Sequence, residues 1–298
     1  MIPFVGEISA LITAFLWSGT SIVFSYAAIR IGSMQLNINR LILATIFLFS
    51  TVMIFGLDYG LSSSQIMFLS ISGIIGLVIG DSFLFQAYVH IGPRLGILLL
   101  SSSPALSAVL AYFFLGEGLN IIAVLGIIIT MMGIGLVILQ REEKPTSKYK
   151  ISRMGIFYGF MGALGQAGGL IFAKFAFTEG PINGFVATFF RIFAATILMI
   201  PIGLAARKFT NPIKVYANEK KALLSTVIGT IIGPFLGITF SLIAIAHTKV
   251  GIASTLMSTM PIIMLPLVKV VYKEELSWQS IVGALIAVTG IALLFLRG

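Results

Sequence analysis

The 298-residue sequence contains no cysteine. Disulfides, thiol catalysis and Cys-ligated zinc are thereby excluded, and no redox compartment can be inferred. Charge is scarce as well: Asp, Glu, Lys and Arg make up 10% of the chain, against about 25% in soluble domains. So few charges cannot cover a water-facing surface. Histidine occurs only twice, at His90 and His247, with no acidic or His-rich cluster nearby, so no metal centre is expected. A phosphate-cradling loop is also missing, which argues against ATP-driven pumping by this chain. Nothing in the sequence calls for a cofactor.

What is abundant is apolar: 58% of positions, with a mean hydropathy of +1.08. A membrane-spanning helix needs about 20 mainly apolar residues. Ten such runs can be read, at Val5 to Ile29, Asn37 to Phe55, Ile66 to Tyr88, Pro93 to Leu115, Ile121 to Leu139, Met154 to Phe177, Gly184 to Ala205, Ala222 to His247, Val250 to Tyr272 and Ser277 to Leu296. Stretches such as Ile121 to Leu139 are apolar on every face, whereas barrel strands alternate. The expected fold is therefore all-α, with the lipid bilayer as surroundings. Met1 to Glu7 lacks a basic region, so the first run reads as a retained helix and not a cleaved leader. The net charge of +9 would suggest nucleic acid in a soluble protein. Here the Lys and Arg sit in links between apolar runs, which points to a cytosolic membrane face instead.

The sequence repeats itself. An offset of 157 pairs Gly76 with Gly233, Gly80 with Gly237, His90 with His247, Pro104 with Pro261, Glu117 with Glu274, Gly126 with Gly283 and Gly133 with Gly290. Both histidines of the chain obey it. Upstream the offset drifts to 151 for Arg40 and Arg191 and to 149 for Gly6 and Gly155, as small loop insertions would produce. The expected organisation is a five-helix repeat at 1–140, a basic linker at 141–153 and a second repeat at 154–298. An odd number of spans per unit makes the copies enter the membrane from opposite sides. That is the inverted-repeat plan of secondary transporters, and two such halves make a monomer sufficient.

Gly80 to Tyr88 (GDSFLFQAY), Pro104 in an apolar helix, Leu115-Gly116-Glu117 and Gly126 to Gly133 resemble the EamA unit of the drug/metabolite transporter superfamily. The second half repeats Pro261, Lys273-Glu274-Glu275, Gly283 and Gly290, with Lys273 where a Gly is usual. The resemblance covers essentially the whole chain. It implies a transporter, not an enzyme, that exports or exchanges amino acids, other metabolites or drugs. It also implies a central cavity lined by the first, third, fourth, sixth, eighth and ninth helices.

Several residues could carry function. Asp81 lies about 15 residues into the third run, where a carboxylate costs about 2.5–3.5 kcal/mol to insert. It reads either as a substrate or proton site or as a structural carboxylate. Ser82, Gln86 and His90 continue a polar stripe from it, and Gln86 is expected with Asp81 among the substrate-binding residues. Trp17 and Gln166 occupy corresponding positions at offset 149 and are expected on a cavity wall, Trp17 stacking on a small-molecule substrate and Gln166 hydrogen-bonding it. The glycines beside them suggest close helix packing. Pro104 and Pro261 follow Ser101-Ser102-Ser103 and Ser258-Thr259-Met260; their interrupted helices are gating candidates, with Ser102 and Ser258 as ligands. Arg40 and Arg191 read mainly as snorkelling or structural arginines. Glu117 and Glu274 read as caps or inter-helix partners.

Counted by alternate links, Lys174, Arg191, Lys249 and Arg297 fall on one face and the remaining 15 of the 19 basic residues on the other. The positive-inside rule then puts both termini outside a plasma or inner membrane. Two competing readings are an integral membrane enzyme acting on lipid-linked substrates and a channel. The first would show convergent acids or His at one membrane face; the second needs no inverted halves.

Overall fold

The computed structural model describes residues 3–139, 152–260, 262–263 and 278–295. Pro261, Lys273, Glu274 and the linker 140–151 lie outside the described residues. Among those described, every regular element is helical, which is how a chain in lipid satisfies its backbone groups without an open sheet edge. In chain order they are α1 Val5–Ile31, α2 Ser33–Ile54, α3 Ser63–Gly73, a first π-helical segment Ile74–Gly80, α4 Asp81–Leu100, α5 Ser103–Leu115 and α6 Ile121–Leu139. After the linker come α7 Arg153–Thr178, α8 Gly184–Ala205, the short α9 Pro212–Asn218, α10 Lys220–Thr230 and a second π-helical segment Ile231–Gly237. α11 Ile238–His247, α12 Val250–Met257 and α13 Trp278–Phe295 complete the set. Among the described residues six helices are long and apolar enough to cross a membrane: α1, α2, the composite Ser63–Ile91, α7, α8 and the composite Lys220–His247. The protein is therefore a multi-pass, all-helical membrane protein.

Local chemistry sets the boundaries. Gly32, at φ +87°, ends α1 in a conformation open to glycine, and its amide donates to Ala28 O. α3 opens on a capping box, the Ser62 hydroxyl accepting from the Gln65 amide while Gln65 Oε1 accepts from the Ser62 amide. Ser152 and Asn183 cap α7 and α8 in the same side-chain manner. Proline sits in the first turn of α5, as Pro104, where its missing N–H has no helical partner to lose.

The two π segments correspond residue for residue at offset 157, 74 with 231 and 80 with 237. In each the closing amide reaches back five residues, Asp81 to Gly76 and Ile238 to Gly233. The helix breaks obey the same offset. Ser102 Oγ donates to Leu99 O at 2.7 Å where α4 gives way to α5, and Thr259 Oγ1 donates to Leu256 O at 2.8 Å after α12.

α4 is not one straight rod. Residues eight apart on a straight helix are about 12 Å apart, yet a Cβ on Gly96 would sit 2.7 Å from the Tyr88 ring. On α7, Gly155 meets Ile91, Gly162 meets Leu84 and Gly159 meets Leu99. Leu84 and Ile91, and Leu99 farther along, thus meet the same face of α7.

Lipid offers no hydrophobic force between helices, so close contact must do the work. Gly76 and Gly80 of the first π segment lie against Gly165 and Gly169 of α7, where a Cβ on Gly165 would be 2.5 Å from Gly80 Cα. Ser72 Oγ secures this crossing on Gly169 O at 2.6 Å. α6 and α13 pack reciprocally: Gly133 meets Gly283 O and Ala287, and Gly290 meets Gly126 O and Thr130. α2 and α8 touch through Thr45 and Thr196, their hydroxyls 3.0 Å apart. Leu41, Leu48, Leu69, Leu170, Ile192 and Leu242 are fully buried between the helices, while Phe15, Phe113 and Leu285 face outward. An apolar exterior is what lipid requires.

Candidate functional site

A cavity with about 670 Å³ of space between its walls, open part included, lies among α1, α2, the first π segment, α4, α7, α8, the second π segment and α11. Trp17, Thr20, Ser21 and Phe24 come from α1, Leu77 from the first π segment, and Asp81, Leu84, Phe85, Tyr88 and Leu100 from α4. The later part of the chain contributes Gln166, Gly233, Pro234, Ile238 and Met260. Two arginines complete the wall, Arg40 and Arg191. Most of this surface is aromatic or aliphatic, with a few convergent polar groups, the usual make-up of a small-molecule site.

Arg40 is the organising cation of the first half. It is 3% exposed, and its Nη2 donates to Asp81 Oδ2 at 2.5 Å. Nε and Nη2 also donate to Asn37 Oδ1, at 3.0 and 2.7 Å. The amide nitrogen of Asn37 in turn donates to Leu77 O and to Ser82 Oγ, tying α2 to the π segment and the start of α4. The rings of Phe85 and Phe24 lie 4.8 and 5.7 Å from the guanidinium carbon, within cation–π range. The insertion cost of Asp81 is thus offset by a fixed, hydrogen-bonded counter-ion.

Arg191 is set differently. It is 1% exposed, and its Nη2 occupies a slot between two glycines: a Cβ on Gly76 would lie 2.7 Å from it and one on Gly169 3.2 Å. Its Nε is buried with no hydrogen-bond partner among the described residues.

Of the residues singled out in the sequence, Trp17, Asp81 and Gln166 line the cavity together. Gln86 does not; its Nε2 donates to Ser33 Oγ at 2.8 Å, joining α4 to the start of α2. Ser102 spends its hydroxyl on Leu99 O at the helix break, and Ser258 is buried just beyond α12, two residues before the lining Met260 and not itself in the wall. Pro104 is buried in the first turn of α5. His90 Nδ1 lies 2.8 Å from Gln86 O near the end of the composite helix, and Glu117 Oε2 accepts the Val250 amide at 2.8 Å, capping α12. Among the described residues no group of three metal-binding side chains forms. Sequence reasoning under-read Arg40 and Arg191. The available signal was two arginines in corresponding positions, each inside an apolar run and not in a link.

The model of the EamA-like transporter family matches this chain twice, at residues 4–139 and 153–296. The chain belongs to that family. It is accordingly a membrane transporter of the drug/metabolite type, and the family comprises transporters, not enzymes. The search of curated proteins finds no match. Among solved structures, one crystal structure of a protein matches with a TM-score of 0.76 at 17% identity, over 98% of this chain and 96% of the other. At that identity the likeness speaks for the fold, carried over nearly the full length of both chains.

Proposed function

We propose that this member of the EamA-like family is a secondary carrier that moves a small metabolite by alternating access between two inverted five-helix halves, 1–140 and 154–298, joined by the basic linker 141–153. The observation that carries the reading is a cavity whose wall draws repeat-related residues from both halves: Arg40 with Arg191, and Trp17 with Gln166. Such a site sits where two near-equivalent halves can exchange roles. Further support comes from the matched π segments, the matched helix breaks and the reciprocal glycines of α6 and α13.

In this mechanism Trp17 stacks on the substrate and Gln166 hydrogen-bonds it. The breaks beside Pro104 and Pro261 let the fourth and ninth apolar runs, Pro93 to Leu115 and Val250 to Tyr272, flex as gates, with Ser102 and Ser258 at their hinges, and Gln86 steadies the wall behind Asp81. Where a proton gradient drives the cycle, Asp81 takes the proton and releases Arg40. Both termini face outward across the cell membrane, since 15 of the 19 basic residues crowd the opposite face. A monomer contains the complete pathway.

The test is a vesicle uptake screen over amino acids, organic acids and cationic drugs. Saturable flux with counterflow is expected, and Trp17→Ala or Gln166→Ala should weaken it at least tenfold without altering expression. Non-saturable flux would point to a channel and defeat the carrier reading.

A further inference from the structure

Resting on the carrier reading, we infer that the cavity takes a small organic anion, a monocarboxylate with an apolar body, whose carboxylate pairs with Arg191. The argument starts from a broken symmetry. Arg40 and Arg191 correspond between the halves at offset 151, but among the described residues only Arg40 forms an ion pair with a carboxylate. At offset 157 the counterpart of Asp81 is Ile238, which lines the same cavity. The second half therefore keeps the cation and lacks its anion.

Among the described residues no carboxylate forms an ion pair with Arg191, although the charge of Asp81 reaches it across the cavity. Arg191 is fully buried, its Nε has no partner among the described residues, and the Asp81 carboxylate is engaged by Arg40. A guanidinium stays charged at any biological pH, and an unpaired charge in such surroundings is costly. The glycine slot of Gly76 and Gly169 nevertheless makes room for it, since a Cβ at either position would press on Nη2. The position is built, and among the described residues its charge has no ion-pair partner of its own.

The charges lining the cavity give the ligand's valence. Arg40 and Arg191 contribute two positive charges and Asp81 one negative, leaving a single positive charge. A monoanion neutralises the site; a cation would add to its excess. The planar fork of a guanidinium suits a carboxylate in bidentate geometry. Trp17, Phe24, Phe85 and Tyr88, with Met260 and Leu100, supply flat and aliphatic walls for the rest of the molecule.

The experiment measures ligand binding by thermal shift on the full-length protein in lipid nanodiscs, with benzoate, benzamide, benzylamine and inorganic phosphate as probes, alongside vesicle flux. Benzoate is expected to stabilise the wild type, and benzamide and benzylamine are not. Arg191→Gln should weaken benzoate binding at least tenfold. Because that variant removes a buried group, a second one, Ile238→Asp, supplies the missing carboxylate internally. It should retain the fold and lose benzoate binding, whereas Ile238→Asn, of similar size but uncharged, should weaken it far less. Stabilisation by benzamide equal to that by benzoate, or by phosphate alone, would overturn the inference. So would benzoate binding that survives in Ile238→Asp. Saturable flux of neutral or cationic compounds without benzoate binding would sink the anion assignment and leave the carrier reading standing. Benzoate binding that depends on Arg191 without any saturable flux would do the reverse.

Discussion

The contact between α6 and α13 lends itself to a sharp test because a control lies two residues away. A Cβ placed on Gly133 would be 2.4 Å from Ala287 N, 2.5 Å from Gly283 O and 2.7 Å from Ala287 Cβ. Two of these are backbone atoms that cannot rotate aside. Restoring an ordinary contact of about 3.4 Å requires the helices to part by about 1 Å, and van der Waals attraction is forfeited steeply over such a gap. Overpacking of this kind costs about 1–3 kcal/mol, against which the better helix propensity of alanine returns up to about 1 kcal/mol. Gly133→Ala should therefore lose about 1–2 kcal/mol. Gly290 meets Thr130 Oγ1 at 2.4 Å, Thr130 N at 2.5 Å and Gly126 O at 2.8 Å, so Gly290→Ala should cost about as much. Gly135, on the same helix, has nothing within 4 Å of its built Cβ, and Gly135→Ala should be neutral or stabilising. Thermal unfolding in one detergent, followed by tryptophan fluorescence and by size exclusion after heating, reads all three. Equal melting of Gly133→Ala and Gly135→Ala would refute the packing argument.

Three further expectations follow from particular contacts. Asp81→Asn leaves Arg40 buried without its counter-charge and should cost about 3 kcal/mol, recovered in part when Arg40→Met accompanies Asp81→Leu; where a proton gradient drives transport, the same Asn variant should carry on counterflow while ignoring that gradient. A single-site loss unaffected by the second substitution, in a variant still driven by pH, would make Asp81 architecture alone. Tyr216, in the short α9, has its hydroxyl pKa raised chiefly by burial, with the hydrogen bonds to Thr226 and Asn39 acting in the opposite direction. Its folded pKa lies above the unfolded value of about 10, so its contribution is complete below pH 10 and declines as pH rises past it; Tyr216→Phe should flatten that decline, and parallel alkaline melting curves would count against it. Finally, Ser147→Cys in this Cys-free chain should resist membrane-impermeant thiol reagents in intact cells, and labelling from outside would reverse the proposed orientation.

The all-helical, membrane-spanning character was legible because lipid forces long apolar runs, but the ends were not: the runs stop at Ile29 and resume at Ile66 where Gly32 and Ser62 set the boundaries, and Pro104 opens a helix inside the run Pro93 to Leu115. The fixed offset of 157 was legible too, since it survives in sparse residues such as His90 and His247. The cavity was only half legible. Trp17, Gln166 and Asp81 stood out as polar or aromatic residues in apolar helices, but so did Gln86 and Ser102, whose polar atoms turn to Ser33 and to Leu99 O. Composition does not say whether a polar atom will find its partner inside the helix bundle or leave it for a ligand. For Arg40 and Arg191 the difficulty was depth, because an arginine near a helix end can equally reach water or bury itself, as Arg40 does beside Phe24 and Phe85.

The π segments have a consequence for how the faces of these helices relate. Successive residues on an α-helix advance by about 100°, so a turn that admits one extra residue re-phases everything beyond it by about that angle. Gly73 and Gly80 flank such a shift in the first half, and Thr230 and Gly237 in the second. A helical wheel drawn straight through Ser63–Ile91 therefore points its far half a quarter-turn away from its true bearing. That added rotation helps turn Asp81 toward Arg40, and in the sister helix it turns Ile238 toward the same chamber. Each rod works like a key cut on two faces, its root seated on one neighbour and its tip presented to the passage.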